Sequence, residues 1–173
     1  ELTGTFNRRH FVEAVETELQ RSVRFEHPLS LLVIDIDHLK KINQTHGRGA
    51  GDVTLKTLAA AAIGILRKID FFARIGGEEF AAMLPETDIT GAVILAERLR
   101  ESISRMGIAV GRESVEITVS IGIAGRGEQE STAEDLLRMA DQALAVAKDE
   151  GRDRVVVASW QETEPTKAGP AET

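Results

Sequence analysis

Apolar residues Phe11, Val12, Val15, Leu19 and Val23 recur at the three- and four-residue spacing of one helical face, with Asn7 placed as an N-cap. Pro28 breaks that pattern. Residues 29–36 (LSLLVIDI) form an apolar run too compact for a helix, which predicts a strand buried on both faces. Asp37 reads as the cap of a brief helix through Ile42, and Gly47, Gly49 and Gly51 mark a loop. Val53 to Arg67 reads as a helix with Leu55, Leu58, Ala62 and Leu66 on one side. Phe71–Ile75 and Phe80–Leu84 read as short strands, and Gly76-Gly77-Glu78-Glu79 between them as a hairpin turn. From about Gly91 to Ser104 a helix is predicted with Val93, Ala96, Leu99 and Ile103 inward, and Val115–Ala124 alternates as a strand. Ser131 and Glu134 have the spacing of a capping box for a helix to Glu150, stopped by Gly151; Val155–Ala158 is a last short strand.

That order, αβα(α)ββαβαβ with a tight hairpin in its middle, disfavours a purely parallel doubly wound sheet. It predicts a mixed α/β domain of the α+β type, a sheet with helices packed on it. One domain over residues 1–160 accounts for the pattern, without internal repeats. Residues 161–173 (QETEPTKAGPAET) hold two prolines and no large apolar residue, so a disordered tail is expected. The opening Glu1-Leu2-Thr3-Gly4, without an initiator Met, reads as an interior start.

Composition narrows the chemistry. The chain has no cysteine, which excludes disulfides, thiolate catalysis and Cys-based zinc sites. Its His residues, at 10, 27, 38 and 46, form no HExxH pair. Lys and Arg number 21 against 28 Asp and Glu, and the net charge of −7 argues against nucleic acid as a partner. No apolar run approaches the roughly 20 residues of a membrane span, and no signal peptide opens the chain. A cytoplasmic domain without membrane contact is the expectation.

Asp35 and Asp37 close the most apolar strand, where an ionised carboxylate needs a partner, hydrogen bonds or a metal. Mg²⁺ suits such a place, because it takes one or two carboxylates and completes its shell with water and phosphate. The competing reading makes Asp37 a helix cap and gives Asp35 backbone hydrogen bonds. A turn is expected between them before both could reach one ion. Gly76 and Gly77 leave no side chain in the way of a ligand, and Glu78 and Glu79 place two acids on the same turn. A merely solvated hairpin would look the same.

The segment Gly76-Gly77-Glu78-Glu79-Phe80 resembles the GGEEF variant of the signature of the GGDEF family, the diguanylate cyclases. Six blocks agree with that family in order and spacing: LTGTFNRRHF at 2–11, DIDHLKKIN at 35–43, GD at 51–52, ARIGGEEFAAMLPET at 73–87, VSIGIA at 119–124 and ADQALAVAKDEGRDRV at 140–155. The likeness spans about residues 2–157. It implies a palm-like nucleotidyl-cyclase fold with a largely antiparallel central sheet. The implied activity condenses two GTP into cyclic di-GMP with Mg²⁺, Mn²⁺ being an alternative ion.

The resemblance assigns roles by position. Asp35, the carbonyl of Ile36, and Glu78 match the metal ligands, with Glu79 a further ligand; Asp35 and Glu78 are the implied catalytic acids. Asn43 and Asp52 match the guanine-reading pair, an amide and a carboxylate that suit a base edge with donors at N1 and N2. Asp52 would equally cap a helix from Val53. Lys148 and Arg152 match phosphate-binding cations, although basic residues are common at any helix C-terminus. The segment from Asp37 to Lys40 is expected to hold phosphate with backbone N–H groups. Arg67 and Asp70 form an RxxD nine positions before Gly76, the register of the family's product-inhibition site, and Arg98 matches a second arginine there; elsewhere the first two would be a solvated ion pair.

The implied partners are GTP, cyclic di-GMP as product and inhibitor, a second copy of the domain for activity, and an upstream regulatory domain. Leu39, Gln44, HGRGAGD at 46–52, Ala145 and Asp153 depart from the usual family residues, and Asp153 is expected to weaken phosphate binding beside Arg152. A catalytically silent cyclic di-GMP sensor is the alternative. Intact Asp35 and GGEEF acids favour the cyclase, and Asn43 with Asp52 argues against a different nucleotidyl cyclase.

Overall fold

The computed structural model describes residues 2–110, 113–127 and 132–159. The expected tail at 161–173 and Ser131 lie outside the described residues.

The elements run β1 (Phe6–Asn7), α1 (Arg8–Phe25), β2 (Leu29–Ile36), α2 (Leu39–His46), α3 (Arg48–Ile65), β3 (Phe71–Arg74), β4 (Glu79–Pro85), α4 (Ile89–Ser104), β5 (Gly107–Val110), β6 (Glu113–Glu116), β7 (Val119–Gly125), α5 (Ala133–Asp149) and β8 (Val155–Val157). Six strands form one sheet in the order β1-β3-β4-β2-β7-β8. Its inner pairings, β3–β4, β4–β2 and β2–β7, are antiparallel, and only its outer strands β1 and β8 pair in parallel. The expected mixed, largely antiparallel sheet is therefore what forms.

Strand β2 is buried along its whole length, and the strand pleat divides it between two cores. Leu29, Leu31 and Val33 pack with Phe11, Val15 and Leu19 of α1 and Leu136, Ala140 and Leu144 of α5. Leu32, Ile34 and Ile36 pack with Leu55, Leu58 and Ala62 of α3 and Ala96, Leu99 and Ile103 of α4. Parity alone then puts Asp35 on the face of α1 and α5. On that face α5 comes very close to β7 at Gly122. A Cβ there would fall 2.0 Å from the carbonyl oxygen of Ala140 and 2.4 Å from the amide nitrogen of Leu144.

Several elements differ from the sequence reading. Asn7 caps α1 as expected, accepting from the His10 amide at 2.9 Å. Val23, however, is exposed, and Ser22 takes the inward place by donating to the His27 carbonyl. Helix α3 starts at Arg48, not Val53, and runs through Gly49 and Gly51. Burial of Ala50, Gly51 and Thr54 in its first turns overrides the low helix propensity of glycine. Helix α4 begins earlier than expected, capped by Asp88, which accepts from the Gly91 amide at 2.8 Å. The stretch 115–124 is not one strand: β6 ends at Glu116 and β7 starts at Val119, and β5 with β6 makes a separate two-stranded hairpin. The box that opens α5 is Thr132 with Asp135, each side chain accepting from the other's backbone.

Candidate active site

Asp35 is 3% exposed and lies in register with Glu79 on β4 and Ser120 on β7. Lys148, near the end of α5, reaches across that face, its Nζ 3.1 Å from Asp35 Oδ2. Burial pushes the Asp35 carboxyl up from 3.8 to about 6. Lys148 opposes the rise through its hydrogen bond and charge, and the negative charges of Glu78 and Glu79 add to it. The sheet thus holds a buried carboxyl between one cation and two further acids.

The hairpin keeps those acids in place. Ile75 and Gly76 both donate backbone N–H bonds to the Glu79 carbonyl, at 2.9 and 3.2 Å, and the Arg74 guanidinium donates to the Gly77 carbonyl. A Cβ at Gly76 would sit 2.7 Å from Glu79 Oε2, the movable tip of that side chain, so a larger residue there would displace the Glu79 carboxylate. Glu78 is half-buried at the turn, beside Gly77 at the exposed tip. The Ile36 side chain points into the core under α3 and α4, so only its backbone is available to a ligand.

Asp37 is not a helix cap. The residue before α2 is His38, with φ of 59° and no side-chain cap bond. Asp37 lies just beyond the end of β2 at Ile36, in the turn that leads to α2, so the expected turn begins at Asp37 itself, and the two carboxylates have different partners. The Asp37 carboxylate, 4% exposed, accepts from Thr118 Oγ1 and Ser120 Oγ, each at 2.7 Å, and from the Asp153 amide at 3.1 Å. That set satisfies it within the protein.

Helices α2 and α3 bring Asn43 against Gly51. A Cβ on Gly51 would lie 2.0 Å from Asn43 Oδ1, and that oxygen is buried without a hydrogen-bond donor. Asp52, next to Gly51, is exposed inside α3, which rules out the N-cap role. Lys40 is exposed in the first turn of α2.

After α5 the chain turns through Gly151, Arg152 and Asp153, with φ of 117°, 65° and 45°. The Arg152 amide donates to the Ala147 carbonyl at 2.9 Å, which keeps Arg152 next to Lys148. Asp153 Oδ1 meets the Arg100 guanidinium of α4 at 2.7 Å.

Arg67, Asp70 and Arg98 gather where α3 ends. The Arg67 guanidinium bonds Asp70 Oδ1 at 2.9 Å, Thr87 Oγ1 at 2.6 Å and the Pro85 carbonyl at 3.1 Å, and its backbone N–H donates to Asp70 Oδ2 at 2.7 Å. Arg98 donates to the Ile65 carbonyl at 2.9 Å. The RxxD is therefore no free surface pair: its aspartate side chain is fully buried and its arginine ties α3 to the end of β4.

Among the described residues, no three acidic or histidine side chains converge as a ready-made metal cage. The site instead offers Asp35 and Glu79 in register, with Glu78 adjacent. Such a donor set fits a small hard cation that takes few carboxylates and fills its shell with water and phosphate oxygens.

Residues 1–154 match the family model described as "Diguanylate cyclase, GGDEF domain". The chain is a GGDEF domain. It is 39% identical over 158 residues to the response regulator PleD of Caulobacter vibrioides, covering 90% of this chain and 35% of that protein. With the diguanylate cyclase DgcP of Pseudomonas aeruginosa it shares 43% over 157 residues, 91% of this chain and 23% of that one. The chain thus spans about a third or less of these relatives' length. Among solved structures, the GGDEF domain of DgcB from Caulobacter crescentus, in complex with c-di-GMP, superposes with a TM-score of 0.88 at 31% identity, covering 92% of both chains. The active GGEEF domain of a diguanylate cyclase from Vibrio cholerae superposes at 0.85 and 31%, covering 90% of this chain and 99% of that one.

This GGDEF domain holds site residues that the sequence did not disclose. Thr118, Ser120 and Arg100 bind Asp37 and Asp153 across separations of 53 to 83 residues. No local pattern encodes such distances. Gly51 was legible as part of a GD pair, but its contact with Asn43 was not.

Proposed function

We propose that this GGDEF domain condenses two GTP into cyclic di-GMP and two pyrophosphates, in the cytoplasm, as a pair of facing copies. The observation that carries the reading is the buried Asp35 in register with Glu79 of the GGEEF hairpin. Asp35, Glu78, Glu79 and the Ile36 carbonyl would hold Mg²⁺, which when bound supplies charge neutralisation for the triphosphate and favours the 3′-alkoxide. Asn43 and Asp52 read guanine, and the orphaned Asn43 oxygen is suited to a base N–H. Lys40, Lys148 and Arg152 hold phosphates, while Lys148 also opposes the burial that pushes the Asp35 carboxyl up.

One domain carries one such set of residues and so holds one GTP. Ring closure needs each 3′-oxygen to reach the other molecule's α-phosphate, which a two-fold pair of domains achieves with a single site type. Arg67, Asp70 and Arg98 bind the product away from the reaction. Retention of both Asp35 and the GGEEF acids speaks against a silent sensor.

Incubation with GTP or ATP and Mg²⁺, with chromatographic identification of products, tests the reading. Cyclic di-GMP from GTP alone is expected, with specific activity rising with protein concentration. No cyclic dinucleotide at any concentration, or equal use of ATP, would overturn it.

A further inference from the structure

We propose that Arg100 of α4 is a positioning residue for the phosphate-binding turn after α5, holding Arg152 in place by neutralising and gripping Asp153. The inference rests on the reading that Lys148 and Arg152 hold GTP phosphates.

The turn is an unusual piece of backbone. Gly151, Arg152 and Asp153 all have positive φ, and two of them carry a Cβ. Left-handed conformations of such residues are disfavoured and persist only where the surroundings over-determine them. Several ties do so here. The Arg152 amide is fixed to the Ala147 carbonyl, the Asp153 amide to Asp37 Oδ2, and the Asp153 carboxylate to Arg100 Nη1 at 2.7 Å. The third is the tie by which another helix grips the turn through a side chain.

Arg100 is built for that task. Its side chain is 20% exposed and lies between two carboxylates, with Nε on Glu97 at 2.8 Å and Nη1 on Asp153. The hydrogen bond to Asp153, then that to Glu97, holds the guanidinium more firmly protonated than usual. Exposed pairs of long side chains usually contribute little, because both partners must be ordered. Glu97, one turn earlier on α4, already orders Arg100.

The charge argument is independent of the geometric one. Asp153 is 42% exposed and adjacent to the arginine assigned to phosphate. Asp153 is an acid beside that arginine, and left alone it repels a triphosphate. Arg100 cancels that charge, so the weakening expected from Asp153 does not follow while the pair is intact.

Arg100→Ala, Asp153→Asn and the double variant separate these effects, with KM for GTP, kcat and melting temperature measured for each. Arg100→Ala should raise KM about tenfold, the scale of one charge-assisted contact, with kcat within about threefold of wild type. Asp153→Asn alone should change KM little, and adding it to Arg100→Ala should bring KM part of the way back, since no charge then needs cancelling although the grip stays lost. Should Arg100→Ala fail to fold, Arg100→Gln gives the same comparison. An unchanged KM in the Arg100 variant, or no recovery in the double variant at equal melting temperature, overturns the proposal. A purely structural brace would lower both melting temperatures without making KM depend on the charge at 153. If wild type turns over no GTP, the functional reading fails by itself. Calorimetry with inorganic triphosphate then tests the turn directly: weaker binding by Arg100→Ala, partly restored in the double variant, supports the proposal, and absent or equal binding overturns it.

Discussion

Lys148 Nζ lies 3.1 Å from Asp35 Oδ2, and this contact joins the last turns of α5 to the end of β2. It does not fully offset the burial of the carboxylate, which titrates at about 6 instead of 3.8. A raised native value means that the folded protein favours protonated Asp35. The associated stability is present below the ordinary value and is lost as pH rises through about 6. The metal-free protein should therefore lose up to about 3 kcal/mol from this group over that window. Thermal melts of wild type and Asp35→Asn at steps from about pH 4 to 6.5 check this, the variant showing the flatter slope. On the proposed role of Asp35, Mg²⁺ would compete with the proton, and the acid limb of activity should move to lower pH as Mg²⁺ rises.

Glu78→Gln should abolish turnover and leave the fold intact. The amide keeps the shape of the half-buried side chain but removes the charge proposed to serve a cation. A melting temperature within a few degrees of wild type, with product formation reduced at least about a thousandfold, is expected on the scale of lost catalytic electrostatics. Near-normal synthesis would remove Glu78 from the site.

Arg67→Ala should remove the cyclic di-GMP binding proposed for the RxxD site, measured calorimetrically, without eliminating synthesis. The loop itself should survive, because the bond from the Arg67 backbone N–H to Asp70 persists in the variant. A stability loss of about 1–3 kcal/mol is expected from the abandoned Asp70, Thr87 and Pro85 contacts. Unchanged affinity for cyclic di-GMP would refute the assignment.

Gly122→Ala should be among the most damaging single methyl additions in the chain. The new carbon would meet backbone atoms of Ala140 and Leu144, which cannot swing aside like a side-chain tip. Urea unfolding should report a loss at or above the usual 1–3 kcal/mol of overpacking, roughly. Because Lys148 is one turn beyond Leu144, any displacement of α5 also moves Lys148 from Asp35, so the Asp35 titration should shift as well. Wild-type stability in urea would show that the helix can shift freely.

The sequence carried whatever was encoded locally. The spacing of Phe11, Val15 and Leu19, the unbroken apolar run of β2, and the glycines of the GGEEF turn each predict their element directly. The start of α3 was hidden because Gly49 and Gly51 read as breakers, while tertiary burial of Ala50 and Thr54 sets the helix there. The break between β6 and β7 was hidden because Ile117 and Val119 are both buried, which preserves the alternation across it. Asp37 looked like a cap because its actual donors are 81 to 116 residues away. Family resemblance supplied the names of Asn43, Lys148 and Arg152, but not the contacts that hold them.

The unpaired oxygen of Asn43 has a thermodynamic consequence of its own. A buried acceptor without a donor penalises the empty state by about 1–3 kcal/mol. A base that presents an N–H relieves this penalty in the folded chain and not in the unfolded one, so occupancy is linked to folding. Guanine, with its N–H edge, and adenine, without the matching one, should then differ in how far they protect the domain against heat. On the proposed role of Asn43, discrimination between bases would then be present in the equilibrium between folded and unfolded chains, before any phosphate is transferred.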